Sequence, residues 1–172
     1  MMAESTFEEL AMPLFDSLYN YARWLAREPA EAEDLVQETY LKGLRGFRSF
    51  TQGTNFKAWM FRILRNTFLT SRSGLRAVPA LSIDDEPEEV MQLAAADATP
   101  EARLYQRANE RVLQDAITAL PLPFREVLLL SDVEEMSYKE IAEMLSIPLG
   151  TVTSRLLRAR GKVREAIKAE VI

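Results

Sequence analysis

In the stretch Ser137-Tyr138-Lys139-Glu140-Ile141-Ala142-Glu143-Met144-Leu145-Ser146-Ile147-Pro148-Leu149-Gly150-Thr151-Val152-Thr153-Ser154-Arg155-Leu156, a serine stands three residues ahead of a glutamate, at the start of an apolar pattern. This is the capping-box arrangement, in which Ser137 and Glu140 reciprocally satisfy amide donors at a helix start. Ile141, Ala142 and Leu145 give that helix a buried face. Ser146-Ile147-Pro148 makes a tight turn, and a second helix runs from Leu149 or Gly150 to about Ile167. Helix, short turn, basic helix is the helix-turn-helix plan. On the wheel of the second helix, Val152, Leu156, Ala159 and Val163 form one apolar stripe. The opposite side displays Ser154, Leu157, Arg158 and Gly161, flanked by Thr151, Thr153 and Arg155. A leucine among polar and basic residues is either an incidental exposed apolar side chain or a contact for a thymine methyl in a major groove. The helix alone leaves both open.

Upstream, Pro121 and Pro123 mark a corner before a helix over Phe124–Val133. Thr99-Pro100 gives a cap and a first-turn proline, after which Leu104, Ala108, Val112, Ala116 and Leu120 recur at four-residue spacing. Between lies a stretch with Pro79, Pro87 and many acids but no sustained period, which reads as a linker. In the N-terminal part, Phe7–Arg27 is a first helical segment. Pro29 followed by Glu31, Glu33 and Asp34 opens a second, since proline suits a first turn and carboxylates suit the helix dipole; it runs to about Phe47. Gly53-Thr54-Asn55 breaks the chain before a third helix, about Phe56–Leu69. With no convincing strand alternation, the expectation is an all-α chain: two small helical domains, 1–76 and 100–172, joined by an acidic linker, 77–99.

The chain has 172 residues and an apolar fraction of 48%, ample for packed cores. It has no cysteine and no histidine, which removes disulfides, thiolate metal sites and the commonest general base. Neither a metal, a cofactor nor an enzymatic activity is expected. No apolar run approaches the length of a membrane span, and Met1-Met2-Ala3-Glu4-Ser5 lacks the regions of a signal peptide; a cytoplasmic protein without membrane insertion is expected. The net charge of −5 hides a segregation. From Thr39 to Ile83 there is no acid, but Lys42, Arg45, Arg48, Lys57, Arg62, Arg65, Arg72 and Arg76. From Ala77 to Ala102 there is no base, but Asp84, Asp85, Glu86, Glu88, Glu89, Asp97 and Glu101. From Ser146 to Arg164 acids are again absent, with Arg155, Arg158, Arg160, Lys162 and Arg164 present. Two basic blocks around an acidic spacer suggest two polyanion-facing surfaces, although solvated helix faces give such blocks too.

Two N-terminal helices carry further patterns. In the second, the packing face reads as Val36, Tyr40, Gly43, Leu44 and Phe47. That leaves Leu35 outward among Glu31, Asp34, Glu38 and Lys42, either as an interface anchor with a polar rim or as a surface leucine without a role. In the third, Phe56, Trp59, Met60 and Ile63 read as buried, with Lys57, Phe61, Arg62, Arg65 and Phe68 on the other side. Cations interleaved with rings suit single-stranded DNA, where charge tracks phosphates and rings stack on bases. The alternative reading packs Phe61 and Phe68 on the first helix, and Phe47 and Phe50 share the ambiguity.

Taken together, these features resemble the extracytoplasmic-function sigma factors of the sigma-70 family over nearly the whole chain. The residues that carry the resemblance are Ala32-Glu33-Asp34-Leu35-Val36-Gln37-Glu38-Thr39, Phe47-Arg48-Ser49-Phe50 and Asn55-Phe56-Lys57-Ala58-Trp59-Met60-Phe61-Arg62-Ile63 in the first half. In the second half they are Ser137–Glu143 and Ile147–Leu156. The resemblance implies a sigma region 2 domain followed by a region 4 domain, and a role in promoter-specific transcription initiation in a stress response under anti-sigma control. It implies that Asp34, Leu35, Gln37 and Glu38 meet the beta-prime clamp helices of core RNA polymerase, with the beta flap as a further partner. Phe50, Lys57, Phe61, Arg62, Arg65 and Asn66 would face the minus-10 element, with Asn66 and the loop after it reading an extruded base. Thr151, Thr153, Ser154, Leu157 and Arg158 would meet the minus-35 major groove, with Tyr138, Lys139 and Arg155 near phosphates. The family often has a longer or charged residue where this chain has Thr153, so base preference there is not transferred. Partners would thus be core polymerase, promoter DNA both duplex and single-stranded, and an anti-sigma factor, with the protein at the nucleoid when active.

A freestanding helix-turn-helix regulator is the nearest rival reading, and it leaves the Leu35 and Phe61/Arg65 surfaces unexplained. A sigma mimic that only titrates an anti-sigma factor is another, and it has no need of both basic blocks.

Overall fold

The structure, a computed structural model, describes residues 4–73 and 110–171. The chain divides into two compact units, Met1–Ala80 and Leu81–Ile172. All the regular structure among the described residues is helical. The expected linker over 77–99 and the cap at Thr99-Pro100 lie outside the described residues.

In the first unit, Thr6 and Glu9 form a capping box that starts α1, Phe7–Ala11. The segment expected as one helix over Phe7–Arg27 is in fact broken. A 3-10 turn over Met12–Leu14 separates α1 from α2, Phe15–Ala26, because Pro13 has no amide to donate and its ring crowds the preceding turn. Arg27, at φ 66°, closes α2. Helix α3, Pro29–Gly46, has its proline in the first turn as expected. Gly53 adopts φ +85° in the turn before α4, and the Thr54 amide donates to the Thr51 carbonyl there at 3.2 Å. Helix α4 runs Phe56–Ser73, one turn beyond its expected end. Helices α2, α3 and α4 all pack on one another.

That mutual packing corrects one expectation and decides between the two alternatives left open for the phenylalanines. Leu35 is not outward: it is 7% exposed and lies on a buried face with Ala32, Val36, Thr39 and Gly43, while Leu44 is 55% exposed. Thr39 made the pattern misleading. Its hydroxyl donates to the Leu35 carbonyl at 2.7 Å inside the core, so a polar residue sits comfortably at the centre of the buried arc. Likewise Phe61 is 0% exposed and Phe68 is buried, with the Phe61 ring 5.3 Å from that of Tyr21. Phe50 is buried too, its ring 5.1 Å from Phe56 and 5.2 Å from Trp59. With neighbours on two sides, α4 hides more of its circumference than one apolar stripe suggests.

In the second unit, α5 is Glu110–Thr118 and α6 is Leu122–Leu128, continuing through a π-helical segment over Leu129–Val133. Arg125 is buried between them. Its Nη2 donates to the carbonyls of Thr118 and Leu120 at 3.2 and 2.9 Å, satisfying acceptors that a helix end leaves open. Helices α7, Tyr138–Leu145, and α8, Leu149–Val171, complete the unit. Helix α8 is the spine on which α5, α6 and α7 all pack. Val152, Leu156, Ala159 and Val163, the stripe expected from the sequence, line its fully buried side, and Ile167 extends it.

Candidate nucleic-acid and protein interfaces

The pair α7–α8 is set by local chemistry. The Ser137 amide donates to Glu140 Oε1 at 3.0 Å, and the Glu140 amide to Ser137 Oγ at 3.1 Å, so the expected capping box is formed. Ser146 ends α7 in the left-handed conformation, φ 57° and ψ 47°, and the Ile147 amide donates to the Ala142 carbonyl at 3.1 Å. The amides of Thr151 and Val152 both donate to the Pro148 carbonyl, at 3.0 and 3.2 Å, which starts α8 at once. The turn is therefore three residues long, as the helix-turn-helix plan needs.

On α8, Thr153 is exposed, and Thr151, Ser154, Arg155, Leu157 and Arg158 are half-buried. Thr153 and Ser154 donate to the Leu149 and Thr151 carbonyls of their own helix, each at 3.2 Å, so their oxygens still have lone pairs for an outside donor. Tyr138 and Lys139 are exposed at the start of α7. Leu149, 53% exposed at the mouth of α8, was missed in the sequence; as the residue after Pro148 it carried no pattern signal. Not all cations of the block face solvent alone. Lys162 sits 5.9 Å from the Phe124 ring centre. Arg160 donates from Nε and Nη2 to Asp132 Oδ2 and Oδ1 at 3.1 and 2.6 Å. Its pKa is raised by the hydrogen bonds to Asp132, against an opposing effect of burial, with the Asp132 charge and Tyr138 adding to the rise.

On the first unit, α4 presents Arg62 and Asn66 exposed, one turn apart, and carries Lys57 and Arg65 half-buried. Lys57 lies 5.8 Å from the Phe61 ring centre. Asn66 stands inside α4 rather than near its end, and no loop follows it closely. Arg72 is answered by Glu31 at 3.0 Å, and Lys42 by Glu38 at 3.8 Å and Thr67 at 3.2 Å. Phe50 and Phe61 are buried and do not form part of this surface.

On α3, Asp34, Gln37 and Glu38 are exposed. The apolar side chains beside them are Leu41, 53% exposed, and Leu44. The outward apolar side chains of α3 are thus Leu41 and Leu44, six and nine residues beyond Leu35, and not Leu35 itself. No helix of the described residues is long and apolar enough to cross a membrane.

Residues 11–77 match the family model of sigma-70 region 2, and residues 110–163 that of sigma-70 region 4. These two matches, in this order, define a sigma factor of the sigma-70 type. The chain is 33% identical over 152 residues to the ECF RNA polymerase sigma-E factor of Haemophilus influenzae, covering 85% of this chain and 78% of that one. It is 35% identical over 172 residues to the ECF RNA polymerase sigma factor SigE of Mycolicibacterium smegmatis, covering 94% of this chain and 65% of the relative's length. The sigma factor RpoE of Bartonella quintana, solved in complex with the anti-sigma factor NepR, superposes with a TM-score of 0.72 at 30% identity, covering 94% of this chain and 96% of that one. The chain belongs to the extracytoplasmic-function group of RNA polymerase sigma factors.

Proposed function

We propose that this chain binds core RNA polymerase and directs it to promoters by reading minus-10 and minus-35 elements, in a stress response under anti-sigma control. The observation that carries the reading is α8. One side is a fully buried apolar stripe, and the other offers Thr151, Thr153, Ser154, Leu157 and Arg158 outward behind a three-residue turn. A helix so mounted enters a major groove with its N-terminal residues at base edges. Tyr138, Lys139 and Arg155 take phosphates, which fix register without reading sequence.

The first unit supplies the other contacts. Asp34, Gln37 and Glu38 meet the beta-prime clamp helices, with Leu41 and Leu44 giving the apolar contact and Leu35 holding α3 from within. Arg62, Arg65, Asn66 and Lys57 face the unpaired minus-10 strand, while Phe50 and Phe61 are buried and do not form part of that surface. The second unit also meets the beta flap. Domain limits of 1–76 and 100–172, with an acidic linker over 77–99, suit this division of labour. The likeness to a sigma factor crystallised with NepR supports an anti-sigma factor as a regulatory partner.

The test is to add the protein to core polymerase and sequence the start sites of run-off transcripts from a genomic template library. The expected result is a set of starts sharing one minus-35 and one minus-10 sequence. Tight operator binding without polymerase would indicate a freestanding regulator. Anti-sigma binding without new starts would indicate a mimic.

A further inference from the structure

Arg160 lies about three turns into α8, on the flank it shares with Thr153 and Leu157 through helical spacing of seven and three residues. Its bidentate partner Asp132 stands 28 residues earlier, in the π-helical segment. Both side chains are only about a third exposed, at 31% and 35%. Tyr138, the first residue of α7, lies against the same guanidinium. One ion pair thus joins the end of α6, the start of α7 and the middle of the recognition helix.

The backbone around Asp132 is unusual. The Glu134 amide donates to the Leu129 carbonyl, five residues back, at 2.9 Å, and the Met136 amide to the Leu130 carbonyl at 2.9 Å. Glu135 follows at φ 57°, a region non-glycine residues seldom adopt. Single π-helical turns are rare, and they occur often at functional sites.

We propose that Asp132 is a positioning residue for promoter reading: by gripping Arg160 at two points beside Tyr138, it fixes the rotation of α8 about its own axis. The consequence lies in the lever arm. Side-chain tips stand about 5–6 Å from a helix axis, so a rotation of about 20° carries them by about 2 Å. That is more than a hydrogen bond to a base edge tolerates. The buried stripe of Val152, Leu156, Ala159, Val163 and Ile167 holds α8 by apolar packing, which is not directional, whereas a fork of two parallel hydrogen bonds fixes direction as well as distance. Arg160 therefore serves Thr153, Ser154, Leu157 and Arg158 without touching DNA, its charge being already answered by Asp132.

This inference rests on the minus-35 reading proposed above, and the experiment separates the two. Holoenzyme made with the full chain is titrated against duplexes carrying a minus-35 element from its mapped promoters, and against singly substituted duplexes, over a salt series. Asp132→Asn and Arg160→Gln are each expected to lower the ratio of matched to mismatched affinity by about 10-fold. The salt slope with Arg160→Gln should stay that of the wild type. Arg160→Lys, which keeps charge and stem but loses the fork, should lose the ratio as well. Melting curves of each variant give the folded fraction to which affinities are normalised. An unchanged ratio with a slope lower by about one makes Arg160 a phosphate contact and overturns the proposal. Asp132→Asn binding all sequences equally more tightly would reduce Asp132 to a charge that repels DNA, and would overturn it too. A wild-type holoenzyme without minus-35 preference sinks the underlying reading instead.

Discussion

Gly43 of α3 and Met60 of α4 approach so closely that a Cβ on Gly43 would stand 2.8 Å from the Met60 Sδ, and 3.0 Å from the Phe7 ring. Gly43 and Met60 are buried, so an added methyl must push the Met60 thioether or the Phe7 ring aside. Gly43→Ala gains about 1 kcal/mol of helix propensity, but overpacking a close-packed core costs about 1–3 kcal/mol. A net loss of about 1 kcal/mol is expected in urea unfolding, and a larger one for Gly43→Val. An alanine variant as stable as the wild type would show that α1 and α4 move apart without strain.

Leu35 and Leu41 lie on the same helix and should behave oppositely. Leu35→Ala removes a buried side chain and should cost about 2–5 kcal/mol of stability. Leu41→Ala together with Asp34→Ala should leave the melting temperature within a degree or two of wild type and weaken binding to core polymerase. Fluorescence anisotropy with labelled polymerase measures the second effect. Equal melting losses in the two variants would place Leu41 in the core.

Ser146 holds a left-handed conformation that costs a side-chain-bearing residue about 1–2 kcal/mol. Ser146→Gly should stabilise the turn by about 0.5–1 kcal/mol, less than the full strain because glycine also frees the unfolded chain. Thermal unfolding of the full chain reads this. A lowered melting temperature would mean that the serine hydroxyl contributes more than the strain it bears.

Arg158→Ala should relax minus-35 discrimination, costing about 1–3 kcal/mol if it makes a good base contact. Arg155→Ala should weaken binding to different sequences evenly and lower the salt slope, as loss of a phosphate contact does. Competition binding with singly substituted minus-35 duplexes distinguishes them. Uniform loss in both variants would move the recognition face elsewhere on α8.

Asn66→Ala should impair recognition of the unpaired minus-10 strand and spare duplex minus-35 binding. The amide is exposed on α4 one turn from Arg62, and it offers both donors and acceptors to a base edge. Holoenzyme binding to fork-junction DNA, with each minus-10 base varied in turn, is the measurement. The variant should flatten preference at one position only. A variant that keeps the preference, or flattens all positions alike, makes Asn66 a mere polar surface residue.

What could be read from the sequence alone was whatever depends on short spacing. The capping box of Ser137 and Glu140, the turn at Ser146-Ile147-Pro148 and the stripe from Val152 to Val163 are local, and all are present in the fold. The family resemblance rests on the same stretches and their order. Tertiary structure decided the rest. Periodicity reports a helix buried on one side, but α3 and α4 each pack against two neighbours, which widens and turns the buried arc. So Thr39 and Leu35 point inward, Leu41 and Leu44 outward, and Phe61 and Phe50 into the core. The grip of Asp132 on Arg160 spans 28 residues. It exists because α6 and α8 pack together and the π-helical segment that continues α6 lies beside the middle of α8, a placement that no spacing along the chain encodes.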